Sequence, residues 1–134
     1  MTSIVLDPIG LVRSSLRQRK NAPRNARGAP EATLEIEEKF LSALEGVGPG
    51  TELIVVTWLH EAVRETLQVR PGRDPARPLT GVFATRSPDR PNPIGIHRVT
   101  VAAVDPPTNV RVTALEAIDG TPILDLKIAL DNER

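Results

Sequence analysis

Only one stretch of this 134-residue chain carries a helical period, whereas six others are short and either alternate in polarity or are rich in β-branched residues. That imbalance limits the fold more than any single motif does. Strands are predicted over residues 4–14, 53–59, 81–85, 94–104, 110–115 and 122–127, and one helix over 32–44, where Leu34, Phe40, Leu41 and Leu44 fall near a 3.6-residue period. Such a set favours a mainly β fold, a small antiparallel, non-Rossmann β-barrel of about six or seven strands with one helix, over a doubly wound parallel sheet. The length suits one hydrophobic core, so residues 1–134 are expected to form a single domain.

Composition removes several functional classes. The chain has no cysteine, no apolar run near the ~20 residues that span a bilayer, and no charged-then-apolar N-terminal order, so a cytoplasmic protein without membrane association is expected. No metal site is expected either, because His60 and His97 are the only imidazoles and neither belongs to a spaced ligand cluster. Phe40, Trp58 and Phe83 are the only aromatic residues, which leaves few platforms for stacking of single-stranded bases.

The net charge of zero conceals segregation along the chain. Residues 13–27 carry Arg13, Arg17, Arg19, Lys20, Arg24 and Arg27 with no acid, whereas residues 31–52 carry six glutamates against Lys39 alone. From Arg64 to Arg98 there are seven arginines against three acids. Two basic segments that meet in space make a local patch able to attract a polyanion, and scattered solvated arginines are the alternative reading.

The most distinctive stretch is 81–98, Gly-Val-Phe-Ala-Thr-Arg-Ser-Pro-Asp-Arg-Pro-Asn-Pro-Ile-Gly-Ile-His-Arg. Pro88, Pro91 and Pro93 each restrict the backbone, so Arg86 and Arg90 sit on a pre-ordered frame that loses little entropy on binding an anionic or carboxylate-bearing ligand. The preceding segment 61–80 reads as a long arginine- and proline-bearing loop, a functional cover or an oligomer contact.

Other motifs have simpler explanations. Glu45-Gly-Val-Gly-Pro-Gly50 resembles a nucleotide-binding glycine loop but follows the predicted helix and opens a strand, the reverse of what a phosphate or nucleotide needs, so it reads as a helix end and turn. Asp105-Pro-Pro-Thr108 echoes the Asp-Pro-Pro-aromatic motif of Rossmann-fold methyltransferases without the aromatic, and reads as a turn. Asp119-Gly120-Thr121-Pro122 reads as a tight hairpin turn leading into the last strand, with a ligand-holding corner as its functional alternative. His60 ends the apolar strand as a ligand contact or a half-buried terminus, and Asp125 and Lys127 are expected to pair on an exposed face.

Taken together, Phe83-Ala-Thr-Arg-Ser87 and Arg90-Pro-Asn-Pro-Ile-Gly95 resemble the signature of the TsaA-like family, which includes tRNA N6-methyltransferases. Ile9-Gly10, Arg13-Ser14, Pro23-Arg24, His60, Asp119 to Pro122, Asp125 and Lys127 follow in the family's order, so the resemblance spans almost the whole chain. It implies a small β-barrel that binds S-adenosyl-L-methionine, forms a homodimer with sites near the subunit interface, and methylates N6 of threonylcarbamoyladenosine at position 37 of tRNA. By matching position it implies cofactor contacts at Pro23, Arg24, Asn25, His60, Glu61, Arg86, Ile96, Asp119, Gly120, Thr121 and Pro122, with His60 or Asp119 as base or orienter.

The basic segments, through Arg17, Arg19, Lys20 and Arg90, would hold the tRNA anticodon stem-loop by its phosphates. The chain departs from the family at residues 125–130, where Lys-Pro-Tyr is common, at Glu52 and Ile54, where His and Trp are common, and in having no counterpart to the C-terminal domain of longer enzymes. Two other readings accompany the first: a methyltransferase of the same barrel acting on another nucleoside or a small molecule, and a non-catalytic sensor of S-adenosyl-L-methionine.

Overall fold

The computed structural model describes residues 2–19 and 28–131. In chain order the strands are β1 (Gly10–Ser14), β2 (Ala32–Ile36), β3 (Glu52–Trp58), β4 (Gln68–Val69), β5 (Thr80–Gly81), β6 (Ile94–Asp105), β7 (Asn109–Val112) and β8 (Pro122–Ile128). Six of them close into an antiparallel barrel in the order β1-β2-β7-β6-β3-β8, and β4 and β5 form a separate two-stranded sheet. The long β6 pairs with β3 through its first half and with β7 through its second, with a register shift between Val101 and Ala103.

Strict alternation fills the barrel. Val12, Leu34, Val55, Val101, Val110, Val112, Leu115 and Ile123 are all buried, so the interior is chiefly branched aliphatic side chains contributed by every wall. Gly10 lets two walls meet, since a Cβ there would collide with the carbonyl oxygen of Glu35 on β2. The run in β3 is buried on one face only: Leu53, Val55 and Thr57 point inward, while Ile54, Val56 and Trp58 stay half-exposed.

The expected helix over 32–44 is shorter than its period suggested. Ala32, Leu34 and Ile36 lie buried on one face of β2, and only Glu38–Leu44 is helical, as 3-10 turns. A two-residue alternation with β-branched Thr33 competed with the helical spacing and prevailed because Leu34 fills the barrel, whereas Leu41 is exposed.

Two strand readings and one loop reading also change. β1 starts only at Gly10, after Pro8, with Ile4 and Val5 exposed. Residues 82–84 form a 3-10 turn in place of most of the strand predicted over 81–85. The segment 61–80, expected as a loop, contains β4, the first residue of β5 and a turn in which Gly72 and Arg73 both take positive φ.

The three turn readings hold in outline. Gly46 and Gly50 adopt positive φ between the 3-10 turns and β3, and residues 106–108 connect β6 to β7. Gly120 takes φ +83 at the Asp-Gly corner. That corner does not close a hairpin, because β8 pairs with β1 and β3 and not with β7. Asp125 and Lys127 pair at 3.4 Å on the exposed side of β8.

Candidate functional site

The segment after β1 ties the expected site residues together at one end of the barrel. Asp119 Oδ1 accepts the Ser14 amide at 2.9 Å, and its Oδ2 lies 3.6 Å from Arg17 and 3.9 Å from Arg13. Two residues further on, Arg19 donates to the Glu61 carbonyl at 3.1 Å and reaches the Asp89 carboxylate at 2.9 Å. One short basic stretch therefore bridges the Asp-Gly-Thr-Pro corner, the His60-Glu61 turn and the proline-rich loop.

Each anchor has a local cause. The Asp119 amide donates to the Leu16 carbonyl at 2.6 Å and the Gly120 amide to Val12 at 2.7 Å, so the positive φ of Gly120 turns the chain back onto β1. Thr121 is buried, with its hydroxyl bonded to the Ile118 carbonyl at 2.6 Å, and Pro122 opens β8 where no edge amide is lost. His60 follows β3 directly. The Leu59 amide donates to the Pro93 carbonyl at 2.8 Å, which fixes the His60 turn against the start of β6.

The proline-rich loop is held from inside. Arg90 is half-buried and its Nη2 donates to the carbonyls of Val82 and Thr85, so it braces the 82–84 turn. Arg64 stacks 5.0 Å above the Trp58 ring and bonds the Pro91 carbonyl at 2.7 Å and Asn92 Oδ1 at 3.0 Å. Asp89 accepts the Val63 amide at 2.8 Å besides Arg19. Burial pushes the Asp89 carboxyl up, but the Arg19 hydrogen bond, the Val63 amide and the charges of Arg19 and Arg73 outweigh it and hold the group below the usual carboxylate range.

Arg86, by contrast, is exposed and makes no hydrogen bond or ion pair among the described residues. Phe83 on the adjoining turn is 85% exposed, and Ile94 and Ile96 are also exposed on the outer face of β6. His60 and Glu61 remain accessible, with side chains 34% and 49% exposed and 3.8 Å apart. Two shallow surface concavities run along β1 and β2, and neither is lined by these residues. Pro23, Arg24, Asn25 and Lys20 lie outside the described residues.

Of the arginines expected at RNA, Arg17 is 76% exposed in its side chain, whereas Arg19 and Arg90 are engaged within the chain. No group of three or more metal-binding side chains occurs among the described residues, and no helix there is long and apolar enough to cross a membrane.

One constellation escaped the sequence reading. His97 lies buried on the inward face of β6; its Nε2 is 2.7 Å from Thr57 Oγ1 and its Nδ1 is 2.6 Å from Glu116 Oε1. Glu116 Oε2 is buried with no partner among the described residues. The available signal was the alternation of β6, which places position 97 in register with Val99 and Val101.

The comparisons with known proteins agree with this architecture. A "Probable S-adenosyl-L-methionine-binding protein" of Methanothermobacter thermautotrophicus is 37% identical over 125 residues, covering 92% of this chain and 88% of the relative. An "S-adenosyl-L-methionine-binding protein" of Archaeoglobus fulgidus is 36% identical over 126 residues, again covering 92% and 88%. Among solved structures, a TrmO crystal structure superposes with TM-score 0.76 at 29% identity, and TrmO from Pseudomonas aeruginosa with 0.75 at 28%. The chain spans 61% of the length of each of these two structures, and covers 100% and 99% of itself. Residues 11–131 match the model of the tRNA-methyltransferase O N-terminal domain, and with nearly all of β1 to β8 inside that match the chain belongs to this family.

Proposed function

We propose that the protein is an S-adenosyl-L-methionine-dependent methyltransferase that methylates N6 of threonylcarbamoyladenosine at position 37 of tRNA. The observation that carries the reading is the convergence of the His60-Glu61 turn, the Arg86 loop and the Asp119 corner through Arg17 and Arg19. Family membership and the names of the archaeal relatives support the choice of cofactor.

The available groups suit such a ligand. Arg86, exposed and without a partner among the described residues, offers a cation for a carboxylate, and Glu61 and Asp119 offer acceptors for an amine or ribose hydroxyls. Ile96 and Phe83 supply apolar surface, and Gly120, Thr121 and Pro122 shape the corner. Pro23, Arg24 and Asn25 complete the contact set. When bound, the cofactor supplies a sulfonium-activated methyl group. His60, accessible beside Glu61, takes the proton leaving N6, with Asp119 as orienter of the acceptor. Alignment of two substrates is the main demand of such a transfer, and it is worth about 7–11 kcal/mol when well oriented.

Arg17 and Lys20 meet the phosphates of the anticodon stem-loop, while Arg19 and Arg90 hold the frame from within. Arg86, Phe83, Ile94 and Ile96 are exposed among the described residues, and the reading includes a homodimer in which the second copy closes the pocket. A cytoplasmic location follows from a tRNA substrate.

Nucleoside mass spectrometry of tRNA from a deletion strain tests this directly. Loss of methylated threonylcarbamoyladenosine supports it, and an unchanged profile removes it. The relatives' names specify binding only, which favours the sensor as second reading; a sensor binds the cofactor without releasing S-adenosylhomocysteine, whatever RNA or small molecule is offered.

A further inference from the structure

We infer that the largely buried chain Thr57–His97–Glu116 is a positioning element that sets three site-bearing segments relative to one another. It joins β3, β6 and the segment before β8, the three parts that lead to His60, Ile96 and Asp119. The inference rests on the cofactor-binding reading above for its affinity readout, and on geometry alone for the rest.

The barrel interior is otherwise largely aliphatic, so buried His97 and the part-buried Glu116 beside it face a desolvation penalty that a Val–Leu contact would avoid. What the polar chain adds is direction. Nδ1 faces Glu116 Oε1 and Nε2 faces Thr57 Oγ1, and the threonine hydroxyl can donate or accept, so the Thr57 contact holds in either tautomer. Both ring nitrogens are used, which gives the ring a single orientation.

Little slack separates this chain from the site. Ala117 and Ile118 are buried between Glu116 and Asp119, so a shift of the Glu116 backbone moves the corner with it. Between Thr57 and His60 the Leu59 amide is tied to Pro93. Gly95 belongs to the same device: a Cβ there would lie 2.6 Å from Thr57 Oγ1 and 2.8 Å from His97 Nε2. The signature glycine thus leaves room for a side-chain hydrogen bond rather than for a ligand.

The test compares Thr57→Val, Thr57→Ser and Glu116→Gln with the wild type in two measurements. In the ligand-free proteins, hydrogen exchange is followed at the amides of 59–61 and 117–121. Titration calorimetry with S-adenosyl-L-methionine gives the affinity of each folded protein. Thr57→Val and Glu116→Gln are expected to speed exchange at both segments ahead of the other strands and to weaken binding roughly five- to tenfold. Thr57→Ser is expected to restore both.

Exchange that rises equally in all strands, with unchanged affinity of the folded protein, assigns the trio to ordinary packing and overturns the inference. The same holds if Thr57→Ser behaves like Thr57→Val. If the wild type fails to bind the cofactor, that reading falls, and the exchange pattern alone still decides the positioning role.

Discussion

Arg19 and Asp89 meet at 2.9 Å across two segments that are far apart in the chain, with the Val63 amide completing the carboxylate's shell. The pair fastens the basic stretch to the proline-rich loop. Because the Asp89 carboxyl is held below its ordinary value, it binds a proton less readily folded than unfolded; its stabilisation is present above the ordinary range near 3.8 and is lost as pH falls through the lowered value. Asp89→Asn is expected to flatten the acid limb of the stability profile and to lower stability at neutral pH by about 1–3 kcal/mol. Urea unfolding between pH 3 and 7 measures both.

Gly95→Ala places a methyl group on the Thr57–His97 hydrogen bond. Neither partner can retreat within the barrel, so about 1–3 kcal/mol of destabilisation is expected. A fall in Cm at constant m-value in guanidinium chloride shows it; a Cm within error of wild type contradicts it.

Arg90 braces the Val82 and Thr85 carbonyls from inside the loop. Arg90→Met keeps much of the stem but removes its bond to both carbonyls; Val82 keeps the Thr85 amide and hydroxyl, so the cost of about 1–3 kcal/mol falls mainly on the Thr85 carbonyl. Exchange at the 82–86 amides is expected to rise, and binding that depends on Arg86 is expected to weaken with it.

Arg86→Ala separates stability from binding. An exposed arginine with no partner among the described residues contributes little to folding, so the change is expected to stay within about 0.5 kcal/mol. S-adenosyl-L-methionine affinity is expected to fall at least tenfold, since a charge-assisted hydrogen bond to a carboxylate contributes about 1.5–3 kcal/mol. Equal affinities by calorimetry remove Arg86 from the site.

Much of the barrel was legible because its strands announce themselves by short apolar, β-branched runs, as at residues 53–59, although that run suggests burial on both faces and the barrel buries only Leu53, Val55 and Thr57. β2 was not, because Leu34, Phe40, Leu41 and Leu44 mimic a helical face and only the closed sheet decides which spacing is buried. The site was legible where a motif has its own backbone logic, as at Gly120 and the proline-rich loop. His97 and Glu116 were not, since their meeting depends on register across the barrel. Nor could charge counting foresee that Arg19 spends its guanidinium on Glu61 and Asp89, within the chain.

The seam between β1 and β8 rests on the pairs Gly10–Ile123 and Leu11–Pro122, flanked by the Ile9–Ile123, Val12–Thr121 and Gly120–Val12 backbone bonds. Its two sides are nearly a full chain length apart in sequence, so it carries the largest loop-closure cost in the molecule. A nascent chain emerging from the ribosome therefore holds an open sheet with two bare edges until its last strand is out, and its exposure to misassembly is greatest in that interval.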